Sequence, residues 1–488
     1  MGSFLVALVE FPHFASSCLS EASCLIGVPD ISIELSVPKQ TITRRDQGFW
    51  SGTLEVEARN IDSFFNKKGR FTFKVFHRGN QITEQWIDVN ALTGNASGGT
   101  MESIAETPSI FHDNFIISYG LYEAGPGHEP LPNQHQCYVT VTQNYTNWIT
   151  NLAPPGSDFE KKPFHRLVLP SAHDVGMNSM ESSAALLRKV GGAVVSTMLT
   201  RTDDKVCRVV DKLSGYPIEL IAPNIIYSLS ITQKDSLESM LRIGARYFEF
   251  RPARLHSSIR GRDALPDKLY FMHSAIPGMG YDTFLEGIVK FLRANKNEII
   301  VVQLRWDGVP FDCAHPSSEE KKQYLEKAIR DHAGGEINVG NLDDMKHRTI
   351  SELRRDKKRL LMLDSVDTLS TYTDDGNATI NGQSIVDAFP RVLEDRGAQR
   401  RAGFVLIQCQ ATATNIQKAL LHSIKDAGVT TSVLLATKGL CDHKTLPWCR
   451  DNVVDRCELG KTVVLMNDWL DGATVDVAVG LSRRRLAK

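Results

Sequence analysis

From Trp148 onward, short apolar runs alternate with amphipathic segments, and this alternation restricts the possible folds more than any other feature of the chain. Runs rich in Val, Ile and Leu without polar alternation read as strands buried on both faces, which is how parallel strands covered by helices are placed. Candidate strands fall at 166–170, 246–251, 269–272, 298–305, 359–363, 403–409, 432–437 and 462–467, with helices such as Tyr281 to Ala294 and Ser318 to His332 between them. Eight strands in that order predict an α/β fold: a TIM-type (β/α)8 barrel, regular or distorted.

Upstream the pattern changes. Between Ile31 and Gln143, segments such as Ile31–Val37, Thr53–Ala58 and Phe71–Phe76 alternate apolar and polar residues with period two, and Gly-, Pro- and Asn-rich connections separate them. That pattern predicts an all-β, antiparallel, sandwich-like domain. The stretch Ala153-Pro154-Pro155-Gly156-Ser157-Asp158 reads as a linker. A chain of 488 residues is long for one domain. The expected division is an N-terminal segment at 1–29 that can stay disordered, a β-sandwich-like domain at 30–147 and a barrel at 148–488.

Several strands end on chemistry. The run Leu167-Val168-Leu169-Pro170-Ser171-Ala172 delivers His173 and Asp174 to a loop, and Lys268-Leu269-Tyr270-Phe271-Met272 delivers His273. Between them, Leu241 to Pro252 reads as helix end, Gly244 stop and strand, with Glu249 and Arg251 on one strand face. Parallel barrels gather reactive side chains at the C-terminal ends of their strands. Two imidazoles and a guanidinium at one place offer a base, an acid and fixed positive charge.

With these residues in order, the chain resembles the phosphatidylinositol-specific phospholipase C X-domain family, and more closely its fungal phospholipase C-like phosphodiesterases. The resemblance runs through Leu169-Pro170-Ser171-Ala172-His173-Asp174, where Ser171-Ala172 replaces the family's Gly-Thr, and through Gly244–Arg251, Phe271-Met272-His273, Asn297–Arg305 and Val463–Trp469. It covers about 320 residues from Trp148. It implies a phospholipase C-like phosphoric diester hydrolase with His173 as general base, His273 as general acid, Arg251 on the non-bridging phosphate oxygens and Asp174 orienting His273. A late carboxylate holds the base in bacterial members; Asp468 is placed there, with Asp471 as fallback. Arg305 and Glu249 are expected at the substrate. Asp364, after the run Arg359–Leu363, is expected to cap or support the barrel.

The resemblance also bears on metal and cofactor. Calcium-using relatives place carboxylates where this chain has Arg251 and Arg305, and a hard cation wants several oxygen ligands. No metal and no cofactor are therefore expected, with Glu249 the one acidic candidate left. Two alternatives stay open: a metal-dependent glycerophosphodiester phosphodiesterase, and a non-catalytic barrel that binds phosphoinositide or glycan with the β domain as recognition module.

Composition narrows the partners. A charged fraction of 23% and a formal charge of -1 lack the basic excess that drives nucleic-acid binding. No run approaches the roughly 18 apolar residues of a membrane span, so a phospholipid or other phosphodiester substrate would be met from the water side, with peripheral membrane contact. The start, Met1 to Glu10, lacks the basic region of a signal peptide, and compartment and oligomeric state are not legible. Cys441, Cys449 and Cys457 beside His443 lack a close Cys-x-x-Cys pair and read as a disulfide or free thiols rather than a zinc site. The apolar run Ala184 to Leu199 suits a lid or a buried crossover helix.

Overall fold

In the computed structural model the described residues are 17–63, 66–101, 108–123, 135–179, 181–190, 230–260, 265–412 and 434–488. The period-two segments form strands β1 (Ser17–Ile26), β2 (Ile31–Val37), β3 (Gln40–Arg44), β4 (Gly48–Glu57), β5 (Lys68–His77), β6 (Asn80–Asn90), β7 (Ala96–Ser97), β8 (Ile110–Phe111), β9 (Phe115–Tyr122) and β10 (His135–Gln143). They make two five-stranded sheets, β4-β1-β10-β9-β8 and β3-β2-β5-β6-β7. In β2 every second residue is buried, as the alternation dictates. Apolar faces of both sheets meet in one core that includes Leu35, Phe73, Leu54 and Val139.

Two features of this region differ from the sequence reading. Part of the segment set apart as 1–29 is strand β1, while residues 1–16 lie outside the described residues. The sandwich is also not purely antiparallel, because β1 runs parallel to β10. Strands β9 and β10 are buried along nearly their whole length on both faces. One face closes the sandwich, while Ile116, Tyr122 and Tyr138 join the core of the second region. The sandwich is thus built into the rest of the molecule. The expected linker is anchored at its first residue, since Ala153 is buried and its carbonyl accepts from Arg354 Nη1 at 2.6 Å, whereas Pro154, Pro155, Gly156 and Asp158 are exposed.

The second region carries β11 (Val168–Ala172), β12 (Tyr247–Phe250), β13 (Pro252–Ala253), β14 (Tyr270–His273), β15 (Ile276–Gly280), β16 (Ile300–Leu304), β17 (Asn338–Gly340), β18 (Lys358–Asp364), β19 (Thr368–Ser370), β20 (Phe404–Gln408) and β21 (Thr462–Asn467). Eight of them form a parallel sheet in the order β17-β18-β16-β12-β11-β21-β20-β19. The two end strands do not pair with each other among the described residues, so of the two expected forms the regular, closed barrel is set aside. Helices Tyr281–Ala294 and Ser318–His332 stand where the periodicity put them. Side chains such as Val301, Val302, Leu360 and Leu406 are fully buried, each worth roughly 1.5–3 kcal/mol relative to exposure.

The count of eight conceals two exchanges. The run 269–272 is not a member of the parallel sheet: as β14 it sits in a separate three-stranded antiparallel sheet, β13-β14-β15. Of the run 432–437 the described part, from Leu434, is not a strand either, since Leu435 opens the helix Leu435–Arg456. The short β17 and β19 take the two places. Of the run 184–199 only residues up to 190 are described, in the helix Glu181–Val190; the remainder of that lid or crossover helix lies outside the described residues. Cys441, Cys449 and Cys457 are free thiols buried along the helix Leu435–Arg456 and its end, which leaves the disulfide reading unrealised among them.

Candidate active site

Parallel pairing sets the first two site elements side by side. Ala172 pairs with Asn467 and with Phe248, so β11 and β21 end at one level and release His173 and Asp468 together, while β12 runs two residues further before it releases Arg251. The His173 amide donates to the Asn467 carbonyl at 3.0 Å, and His173 Nδ1 and Asp468 Oδ1 lie 2.7 Å apart. A carboxylate at that distance fixes the tautomer with the proton on Nδ1 and leaves Nε2 facing outward from the pair.

His273 arrives by another route. The β14–β15 hairpin folds against the His173 loop, with Met279 N donating to Gly176 O at 2.9 Å. This approach needs two glycines: a Cβ on Gly176 would stand 2.2 Å from Phe271 Cβ, and one on Gly278 would stand 2.2 Å from Gly176 O. On the other side, Met272 N donates to Arg251 O at 3.1 Å.

Asp174 is the hub. Its carboxylate, 1% exposed, lies 3.5 Å from His273 Nε2 and 3.7 Å from His173 Nε2. Arg251 Nη2 lies 2.8 Å from Asp174 Oδ1 and donates to Glu249 Oε1 at 2.9 Å. Glu249 Oε2 accepts from Arg305 Nη1 at 2.7 Å, and Arg305 also donates to Asp307 at 2.6 Å. Acid and base thus alternate from Asp174 through Arg251, Glu249 and Arg305 to Asp307, which keeps the buried charges compensated. Asp174 Oδ1, Arg251 Nε and His273 Nδ1 are buried without a hydrogen-bond partner among the described residues; the 2.8 Å contact of Asp174 with Arg251 is an ion contact lacking hydrogen-bond alignment. Unpaired buried polar atoms at one place point to a ligand's position.

The charges divide the two histidines. Burial alone would favour neutral His173, but Asp174 and Asp468 outweigh it and raise the imidazole to about 9. Burial also raises Asp468, yet the cationic ring governs the pair because carboxylates flank it on both sides. His273 is lowered, by burial first; Asp174 opposes this, while Arg251 and His173 add to it. Asp174 stays well below the usual carboxylate range because Arg251 and the two histidines overcome the cost of its burial.

His173, Asp174 and Glu249 bring one potential metal ligand each within 4.8 Å of one another. The Arg251 guanidinium stands between the two carboxylates of that set, and a raised imidazole resists the neutral state that a metal requires. Asp471 and Asp364 are engaged elsewhere. Asp471 caps the helix Gly472–Ala487 through Thr474 N at 3.3 Å. Asp364 pairs with Lys321 at the end of β18.

Sequence reasoning missed Gln233 and Thr232, both buried. Gln233 Nε2 donates to His173 O at 2.9 Å and Asn467 O at 3.2 Å, while Thr232 Oγ1 donates to His173 O at 3.0 Å. A Thr-Gln dipeptide carries no signature of its own. Gly176 and Gly278 were more accessible, since a glycine beside a strand end marks close backbone approach.

No family model and no curated protein matches the chain. Among solved structures, it is similar to the phosphatidylinositol-specific phospholipase C from Listeria monocytogenes, at 14% identity and a TM-score of 0.38 over 69% of this chain and 98% of that one. It is also similar to a variant of the phosphatidylinositol-specific phospholipase C from Staphylococcus aureus, at 12% identity and a TM-score of 0.40 over 69% of this chain and 96% of that one. Likeness at this distance leaves the site to be read from its own geometry.

Proposed function

We propose that the protein is a phosphoric diester hydrolase of the phosphatidylinositol-specific phospholipase C kind, working without a metal ion. The observation that carries the reading is the meeting of His173 and His273 at one carboxylate, Asp174, that is itself bound to Arg251. In the first step neutral His173 takes the proton of a hydroxyl vicinal to the phosphate. That oxygen bonds to phosphorus, the bond from phosphorus to the leaving alcohol oxygen breaks, and His273 gives that oxygen its proton. The product is a cyclic phosphodiester, which water can open with the two histidines exchanging roles. Arg251 holds the non-bridging oxygens, Asp468 holds His173, and Arg305 with Glu249 lines the head-group side.

From the protein's own charges the proton rests on His173 rather than His273, so the reacting form, with neutral His173 and protonated His273, is the minor one of the pair. A phosphate anion against Arg251 raises His273 and thereby brings the acid into its donating form. The substrate is a phospholipid or other diester with a free vicinal hydroxyl. No helix among the described residues is long and apolar enough to cross a membrane, and the contact with lipid in this reading is peripheral.

The test is hydrolysis of phosphatidylinositol followed by phosphorus NMR, with wild type, His173→Ala and His273→Ala. Cyclic inositol phosphate from wild type alone is expected; equal turnover in all three would overturn the mechanism. The metal-dependent alternative has one observation in its favour, the His173–Asp174–Glu249 set. Activity that survives a chelator decides against it, and loss restored by calcium or magnesium decides for it.

A further inference from the structure

Gln233 is 1% exposed and spends its whole amide on the two strand ends that hold the His173–Asp468 pair. Its Nε2 donates to the carbonyls of His173 and Asn467, and its Oε1 accepts from Leu470 N at 2.9 Å. Thr232 tightens the same junction, accepting Trp469 N on its carbonyl at 2.7 Å. Two residues further on, Asp235 leaves the catalytic region altogether. Its Oδ1 accepts from Ser109 N at 2.9 Å and its Oδ2 from Ser109 Oγ at 3.0 Å. Ser109 Oγ in turn meets Ser118 Oγ on β9 at 2.7 Å. Lys234, buried with Asp235, neutralises it at 2.8 Å.

A second buried tie reaches the same place from the other side. Asn467, the residue before Asp468, donates through Nδ2 to Asp442 Oδ1 at 2.8 Å. Asp442 pairs with Lys438, whose Nζ lies 5.8 Å from the centre of the Tyr138 ring on β10. The helix carrying Lys438 comes so close to β1 that a Cβ on Gly439 would stand 2.4 Å from Ser23 Oγ.

We infer that Gln233 is a positioning residue for the His173–Asp468 pair, and that the N-terminal sandwich fixes its place through Ser109 and Asp235. The sandwich is then part of the catalytic framework rather than a separate recognition module. The geometry supports this in a specific way. An amide with two donors and one acceptor meets two carbonyls and one N–H, so neither a carboxylate nor an apolar side chain of the same length can replace it. Loosening it lets the β11 and β21 ends move apart, and displacements of about 1 Å at such a site can cost on the order of 100-fold in rate.

The kinetic half of this inference rests on the phosphodiesterase reading; the spectroscopic half does not. In the full-length protein, Gln233→Met is expected to lower kcat on phosphatidylinositol by ~10- to 100-fold with KM little changed. The downfield proton resonance of His173 Nδ1–H is expected to broaden or disappear. Gln233→Glu, which keeps the length and the acceptor, is expected not to restore either. Ser109→Ala touches no catalytic group and keeps the test open should Gln233→Met fail to fold; it is expected to move both readouts the same way by less. An unchanged kcat with the resonance intact in Gln233→Met overturns the positioning role, and unchanged readouts in Ser109→Ala overturn the part assigned to the sandwich. If wild type turns over no diester, the resonance alone decides: its loss in Gln233→Met upholds the positioning role while the hydrolase reading falls, and its persistence overturns it.

Discussion

The two histidines reach the same carboxylate but are supported in opposite ways. His173 leaves a central strand of the parallel sheet, its backbone is bonded to the next strand, and its Nδ1 sits 2.7 Å from Asp468. His273 ends a strand of a small antiparallel hairpin, its Nδ1 has no partner among the described residues, and the Asp174 carboxylate lies 3.5 Å from its Nε2. One ring is fixed by the fold, and the other is placed by it but left to be completed. A fixed ring suits the group that must aim a proton transfer before anything else has happened. A ring with an unfilled bond suits the group whose partner is the substrate's leaving oxygen.

That contrast can be broken most directly through the leaving group. His173→Ala and His273→Ala are each expected to lower kcat/KM on phosphatidylinositol by ~100- to 10,000-fold. A substrate with a nitrophenol-type leaving group, which departs without protonation, should restore most of the activity of His273→Ala and little of His173→Ala. The reverse pattern in steady-state assays would exchange the two roles. Next in size, Arg251→Met should lower kcat by ~100- to 1,000-fold, and Arg251→Lys should recover only part of this, because one ammonium cannot span Asp174, Glu249 and a phosphate.

A smaller effect separates the rings by titration. In either assignment, kcat/KM against pH should form a bell bounded below by the lowered His273 and above by His173 at about 9. Asp468→Asn removes one of the two carboxylates raising His173, so the upper limb should move toward neutrality while the lower limb stays nearly in place. NMR of the His173 ring protons checks the assignment; an upper limb that does not move would uncouple the pair. The smallest expected effect is on stability. A folded-state value raised above the unfolded one near 6.5 stabilises fully below that pH and loses the benefit as pH rises to about 9. Urea unfolding should show a decline of up to about 3 kcal/mol over that window, absent in His173→Asn.

What the sequence made legible follows from which contacts are local. The strand ends bearing His173, Arg251 and Asp468 belong to largely apolar runs, and the helices Tyr281–Ala294 and Ser318–His332 carry their own periodicity. The run 269–272 is apolar in the same way, but its membership in an antiparallel hairpin is decided by pairing with Pro252–Ala253 and Ile276–Gly280, which no periodicity records. The helix from Leu435 contains Gly439 and Pro447, residues that ordinarily argue against a helix interior; tertiary packing overrode them. Strands of three residues, such as β17 and β19, are too short to carry a pattern. Gln233 was invisible because its role lies in meeting three backbone groups from distant strands.

The backbone beside each reacting group holds a further consequence. Asp174, Ser274 and Trp469 all have positive φ, at 44°, 54° and 49°, so the chain turns left-handed at or just after each of the three groups His173, His273 and Asp468. Non-glycine residues in that region cost of order 1–3 kcal/mol each. The mouth of the sheet therefore carries three strained corners, one directly after each of these side chains. Glycine in place of Ser274 would keep the left-handed turn at lower cost, so Ser274→Gly is expected to raise the melting temperature while the turn after His273 is retained.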